Sequence, residues 1–330
     1  MHLDDAQRDR AAGVLLGQAA GDALGVPYEF ALPPHLGHPA EMLGGGLGDL
    51  EPGEWSDDTA MAMCVADVTA GGVDLTTPDG IDAVATNFLV WMADDPPDVG
   101  LQTSAVLRGT LRALLDGAAG RARVMLDEAE QYASEHPHSA GNGALMRTAV
   151  VALSALDDRV RGARSARRVA NLTHADPLAG DSCVLWTEAV RVAVLDGRVD
   201  VSAGLDLLPG SRREQWARWL EDAQAAATGE LPGGRFNPNG FTVTALQAAT
   251  AAVLGTPEEG PATLPRALHA AVRIGHDTDT VAAIAGGLLG ARWGASAVPA
   301  EWRDELHGWA PGGTASAREL VDLAVRTATG

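Results

Sequence analysis

The chain has 330 residues, 46% of them hydrophobic, which is ample for a sizeable buried core. Its 44 acidic and 24 basic side chains leave a formal net charge of −20, which repels nucleic-acid phosphates and anionic membranes and disfavours both as partners. No apolar run is long enough to span a bilayer as a helix.

Along the chain, Met1-His2-Leu3-Asp4-Asp5 is acidic and enters an amphipathic segment rather than a signal peptide, so a cytoplasmic location is expected. Helical length or period marks 8–24, 57–70, 78–93, 101–116, 121–135, 143–156, 178–196, 211–228, 241–254, 262–274, 278–292 and 315–328. No alternating strand pattern is evident, so the predicted class is all-α. The stretch 31–54, with Pro33-Pro34 and Gly44-Gly45-Gly46, is long for a loop inside a compact domain and reads as a lid or as a variable surface excursion. Two further Pro- and Gly-rich stretches, 94–100 and 229–240, interrupt helices without a lasting change of composition, so one domain over 1–330 is expected. The arginine-rich run from Arg159 to Arg168 is the one candidate basic patch, and its spacing gives a solvated helix face. Cys64 and Cys183 lie in apolar stretches and read as small buried hydrophobes.

Two acidic clusters carry the chemistry. Ser56-Asp57-Asp58-Thr59 and Asp277-Thr278-Asp279-Thr280 each open a run of small apolar residues with helical period, which places both at helix N-termini. Either cluster alone is what an ordinary helix cap looks like. Together they read as two halves of one metal site, because carboxylate and hydroxyl oxygens without sulfur or imidazole suit hard dications, Mg²⁺ or Mn²⁺ above all. Four gathered aspartates repel one another unless cations neutralise them, and two dications supply that charge.

The stretch from Gly17 to Phe30, followed by Trp55-Ser56-Asp57-Asp58-Thr59, resembles the N-terminal signature of the ADP-ribosylglycohydrolase family, which includes the dinitrogenase-reductase-activating glycohydrolases. Further matches follow in the family's order: Asp98-Val99-Gly100, the run from Ser139 to Arg147, Leu172-Thr173-His174-Ala175, and the run from Gly275 to Ala291. The resemblance implies a compact orthogonal helical bundle in one domain, with a dinuclear Mg²⁺ or Mn²⁺ centre in a cleft that holds ADP-ribose. It also implies that Ser56, Asp57, Asp58, Asp277, Asp279 and Thr280 coordinate the metals and that Glu29 places the reactive water or the substrate ribose. By the same resemblance Asn142 and its neighbours Gly141 and Gly143 contact the terminal ribose and pyrophosphate, His174 lines the pocket, and Asp98 and Gly100 sit on a ligand-facing loop. There are two departures: His276 precedes Asp277 where the family commonly has glycine, and Leu101-Gln102-Thr103 stands where adjacent threonines are usual. His276 is therefore a candidate contact to the leaving group, or a side chain that merely packs or points to solvent.

The expected reaction is hydrolysis of the bond between C1″ of ADP-ribose and an acceptor, foremost a protein arginine. Paired metals would hold the ribose hydroxyls and acidify a bound water, with Glu29 as the group handling its proton and Asp58 or Asp279 as secondary candidates. The alternatives are another ADP-ribose linkage (serine, O-acyl, nucleic acid), a non-catalytic ADP-ribose-binding or structural homologue, and phosphoester hydrolysis at the same metals.

Overall fold

The computed structural model describes residues 2–35, 37–227 and 235–330. Part of the predicted stretch 229–240, the last residue of the predicted segment 211–228, and position 36 of the long loop lie outside the described residues. In chain order the α-helices are α1 (Asp5–Gly25), α2 (Asp57–Ala70), α3 (Pro78–Ala93), α4 (Leu101–Leu115), α5 (Arg121–Glu135), α6 (Arg159–Asn171) and α7 (Pro177–Asp196). They continue with α8 (Gly210–Ala227), α9 (Thr242–Gly255), α10 (Thr263–Arg273), α11 (Thr278–Trp293), α12 (Ala300–Glu305) and α13 (Ala317–Thr329). The all-α class holds, and no helix among the described residues is long and apolar enough to cross a membrane.

Three local differences from the sequence reading have physical causes. The segment 143–156 is not α-helical but two 3-10 turns, Asn142–Arg147 and Ala149–Ala155. There the Arg147 guanidinium donates to the Gly143 carbonyl at 2.8 Å and the Thr148 hydroxyl to the Ala144 carbonyl at 2.5 Å. Side chains thus engage the carbonyls that, in an α-helix, accept from the amides four residues further on. A small antiparallel hairpin, β1 (His307–Ala310) with β2 (Gly313–Ser316), precedes α13; four residues per strand are too few to display an alternation. Finally, the arginine-rich run forms α6 but is only partly solvated, since Arg159 pairs with Glu188 at 3.1 Å and with Asp206 at 2.7 Å, and Arg167 pairs with the buried Asp181 at 2.7 Å.

The centre of the molecule is the antiparallel pair α1 and α11, which contact each other more extensively than any other two elements. From Ala11 to Gly25, α1 is buried without interruption, and α11 likewise from Thr278 to Ala291. Gly13, Gly17, Gly21 and Gly25 recur at every fourth residue and so line one face of α1. They abut Gly290, Gly286, Ala282 and Asp279, and a Cβ built on any of these four glycines would overlap the backbone of α11. Only hydrogen in place of a side chain allows two helix backbones this close. The Thr278 hydroxyl closes the end of the pair by donating to the Gly25 carbonyl at 2.8 Å. Around the pair pack α2, α7, α9, α10 and α13, with Trp186 of α7 donating its indole N–H to the Ile284 carbonyl of α11 at 3.1 Å.

A Cβ at position 290 would land against the Gly13 carbonyl. Gly290→Ala is expected to lower unfolding free energy by about 3 kcal/mol through overpacking. Chemical denaturation measures this, and an unchanged midpoint would show that the two helices separate without cost.

Candidate metal centre

Helices α1, α2 and α11 deliver the carboxylates. Both acidic clusters open helices as expected: Asp57 and Asp58 begin α2, Asp277 caps α11, and Asp279 lies in its first turn, where free amides and the helix dipole favour negative charge. Ser56 acts as the α2 cap, its hydroxyl accepting the Asp58 N–H at 3.3 Å. Asp22, near the end of α1 and wholly buried, clamps the same turn. Its Oδ1 accepts the Ser56 N–H at 3.0 Å, and its Oδ2 accepts the Thr59 N–H at 3.0 Å and the Thr59 hydroxyl at 2.6 Å. The α1–α11 pair therefore also fixes where α2 starts.

Two overlapping groups of carboxylates result. One oxygen from each of Asp22, Asp58 and Asp279 lies within 4.8 Å of the others, and the same is true of Glu29, Asp98 and Asp279. Asp279 belongs to both groups. The Thr280 hydroxyl donates to Asp58 Oδ1 at 3.3 Å. Asp57 Oδ2 accepts the Gly100 N–H at 3.2 Å, and Asp277 Oδ2 accepts from Asn142 Nδ2 at 2.8 Å. Burial first, and then neighbouring carboxylates, push Asp58 and Asp279 well above the ordinary carboxylate range. Burial and then Asp98 raise Glu29 and Asp57 to about 8. Asp22 is raised by burial to about 6, held down in part by the hydrogen bonds from Thr59 and Ser56.

The residues fit a divalent cation. Asp58 Oδ2 and Asp279 Oδ1 are buried without a hydrogen-bond partner among the described residues, a costly state for carboxylate oxygens unless a cation meets them. A donor set made of carboxylates and hydroxyls suits a hard dication.

Beside the carboxylates lies a cavity of about 520 Å³. Glu29, Asp57, Asp98, Gly100, Gly141, Asn142, Gly143, His174, Asp277, Asp279 and Thr280 all line it, so most of the sequence-predicted residues come together. Ser56 and Asp58 are buried next to the cavity wall rather than on it, and His276 is absent from the lining. The backbone of His276 is left-handed (φ 64°), its carbonyl accepts the Phe30 N–H at 2.6 Å, and its side chain is exposed to solvent. Asn142 has both amide hydrogens occupied, by Asp277 and by the Asn239 carbonyl at 3.0 Å, so what it offers the cavity is its carbonyl oxygen. From the long loop, Leu47 reaches the lining, as does Phe30 just before it.

Asp22, Met146 and Asn239 are not singled out by the sequence reading, and Gln102 and Thr103 enter it only as a departure from the family's pattern. Asn239 accepts the Asp277 N–H on its Oδ1 at 3.2 Å, and Gln102 donates to the Thr173 carbonyl at 3.0 Å. For Asp22 a signal existed: it is the sole charged side chain between Ala11 and Pro27, in a segment otherwise apolar enough to be buried.

The sequence profile of the ADP-ribosylglycohydrolase family matches residues 3–329. An ADP-ribosylarginine hydrolase Tri1 of Pseudomonas putida (strain GB-1) is 30% identical over 325 residues, covering 96% of this chain and 79% of that one. An ADP-ribosyl-[dinitrogen reductase] glycohydrolase of Rhodospirillum rubrum is 28% identical over 305 residues, covering 90% of each. Among solved structures, a chain of an ADP-ribosylglycohydrolase-related protein complex superposes with a TM-score of 0.69 at 26% identity, covering 99% of each.

The raised carboxylates make metal-free stability depend on pH. The native state keeps protons that the unfolded chain releases at the ordinary 3.8 and 4.5, so stability falls as pH rises toward the values of about 8 for Glu29 and Asp57. The metal-free protein is expected to melt lower at pH 8 than at pH 5.5, with Mg²⁺ or Mn²⁺ restoring the loss mainly at pH 8. Calorimetry at the two pH values checks this; a melting temperature indifferent to both variables would mean that the carboxylates hold no cation.

Proposed function

The chain belongs to the ADP-ribosylglycohydrolase family and is a hydrolase, and from that premise we propose that it frees ADP-ribose from a modified protein arginine by hydrolysing the C1″ glycosidic bond at a centre of two Mg²⁺ or Mn²⁺ ions. The observation that carries this reading is the pair of overlapping carboxylate groups joined at Asp279 on the wall of a cavity large enough for a dinucleotide-sized ligand. Arginine as the acceptor is supported by the name of the Pseudomonas putida relative. The carboxylates come from both ends of the chain, which supports reading 1–330 as one domain.

In this mechanism Asp22, Asp58 and Asp279 would hold one cation, and Glu29, Asp98 and Asp279 the other, with Asp57, Asp277 and Thr280 adjoining. When bound, such ions supply positive charge to ribose hydroxyls and lower the pKa of water. The chain's own residues do the rest. Glu29, half-buried at the cavity wall, orients the attacking water and takes its proton. As the C1″–N bond breaks and C1″–O forms, the positive charge developing on the sugar ring faces the surrounding carboxylates, and the departing guanidine gains the proton. The Asn142 carbonyl oxygen accepts from a ribose hydroxyl, and Gly141 and Gly143 let the pyrophosphate approach the backbone.

The test is release of free ADP-ribose from an arginine-mono-ADP-ribosylated protein with Mg²⁺ or Mn²⁺, with chelator, and with Asp277→Asn. Turnover is expected with metal only, and Asp277→Asn should lower it on the order of 100-fold. ADP-ribose binding without release from any linkage would leave a binding protein, and a nucleoside monophosphate product would indicate phosphoester hydrolysis instead.

A further inference from the structure

Arg147 lies next to the cavity, is fully buried, and has no place in the chemistry above. Among the described residues its guanidinium is not matched with a carboxylate. Nη1 donates to the Gly143 carbonyl at 2.8 Å, Nη2 donates to Thr173 Oγ1 at 2.7 Å, and the group stacks 4.7 Å from the Phe88 ring centre. Thr173 Oγ1 in turn lies 2.7 Å from Nδ1 of His174.

The direction of each bond follows from donor counts. A guanidinium only donates, so Thr173 Oγ1 accepts from Arg147. The threonine has one hydroxyl hydrogen, and among the described residues His174 Nδ1 is the remaining hydrogen-bond partner of that oxygen. An Nδ1–H donor would leave the hydroxyl hydrogen of the fully buried Thr173 without an acceptor among the described residues, so the hydroxyl donates to Nδ1, Nδ1 carries no hydrogen, and the imidazole proton sits on Nε2. His174 is 2% exposed, and what is exposed faces the cavity that it lines. A Cβ at Gly141 or at Gly143 would lie 3.2 Å from Nε2, so the missing side chains keep the approach to that atom open. Burial and the charge of Arg147 drive the His174 pKa down to about 3, so the ring is neutral throughout the working range.

We propose that Arg147 and Thr173 are positioning residues that lock His174 in its Nε2–H form, giving the cavity a fixed neutral donor for an anionic phosphate oxygen of the ligand. The opposite tautomer would turn a lone pair toward that oxygen and repel it. This inference rests on the reading that the cavity takes ADP-ribose, whose diphosphate supplies the anion, but the tautomer itself does not depend on that reading.

The experiment uses full-length protein labelled with ¹⁵N-histidine, with the His174 signals assigned by their loss in His174→Gln. Long-range ¹H–¹⁵N spectra are expected to show His174 Nδ1 as a bare, pyridine-type nitrogen and Nε2 as protonated, with the Nε2–H resonance moving when ADP-ribose and Mg²⁺ are added. Thr173→Val should mix the tautomers, weaken ADP-ribose binding about tenfold and raise KM more than it lowers kcat, while Thr173→Ser restores both the spectrum and the affinity. A protonated Nδ1 in the wild type or in Thr173→Ser overturns the proposal even if Thr173→Val does not fold. So does a folded Thr173→Val with unchanged tautomer and affinity. A wild type with protonated Nε2 that does not bind ADP-ribose would uphold the Arg147–Thr173 arrangement and refute the ligand instead.

Discussion

The side-chain-free contact between α1 and α11 is the constraint on which the rest of the structure depends. Interhelical distance is ordinarily set by the side chains between two helices, and here hydrogen atoms take their place along four turns. That contact has a directional consequence. It brings the C-terminal turn of α1, with Asp22, against the N-terminal turn of α11, with Asp279, and Asp22 then grips the first turn of α2 through Ser56 and Thr59. Three helix ends are thereby registered against one another by backbone contact and short hydrogen bonds. A site that needs carboxylate oxygens at defined separations gains from that rigidity, because backbone atoms have far less freedom to drift than the tips of long side chains.

The same arrangement is a source of internal strain. Carboxylates crowded into a buried corner raise one another's proton affinity, and two of their oxygens have no hydrogen-bond partner among the described residues. Local rules of good packing are broken here, beside a shell of buried apolar side chains, the pairing expected when a folded scaffold supports a reactive centre. Asn142 and Asn239 show how the tension is contained. They hold Asp277 by its carboxylate and by its amide, leaving its orientation little freedom.

What the sequence made legible follows from how each feature is encoded. The helices beginning at Asp57, Pro78, Arg121 and Thr278 start where the capping and periodicity signals put them, because those signals are local. The acidic pairs were visible for the same reason, being contiguous and placed before an apolar run. Asp22 was not, because its meaning lies in a contact with Ser56 and Thr59 more than thirty positions away, and a lone aspartate in an apolar helix carries no local mark of its partner. The 3-10 turns at 142–155 were missed because side-chain bonds from Arg147 and Thr148 outweigh a composition that favours α-helix. At His276 the sequence leaves two readings open, a contact to the leaving group or a side chain that packs or points to solvent, and one left-handed backbone step, which no local signal announces, turns it out to solvent.

The bond from Thr278 to Gly25 joins residues 253 positions apart, so the centre of this molecule is among its most non-local features. Closing so long a loop is entropically expensive until the intervening helices have collapsed around it. During synthesis, α1 emerges first with an open glycine face and a lone buried-type aspartate, and it waits for α11, which arrives after most of the chain has been made. Metal affinity would then appear only as the last act of folding, and a nascent or C-terminally clipped chain would carry most of the acidic residues with none of the hydrolytic power.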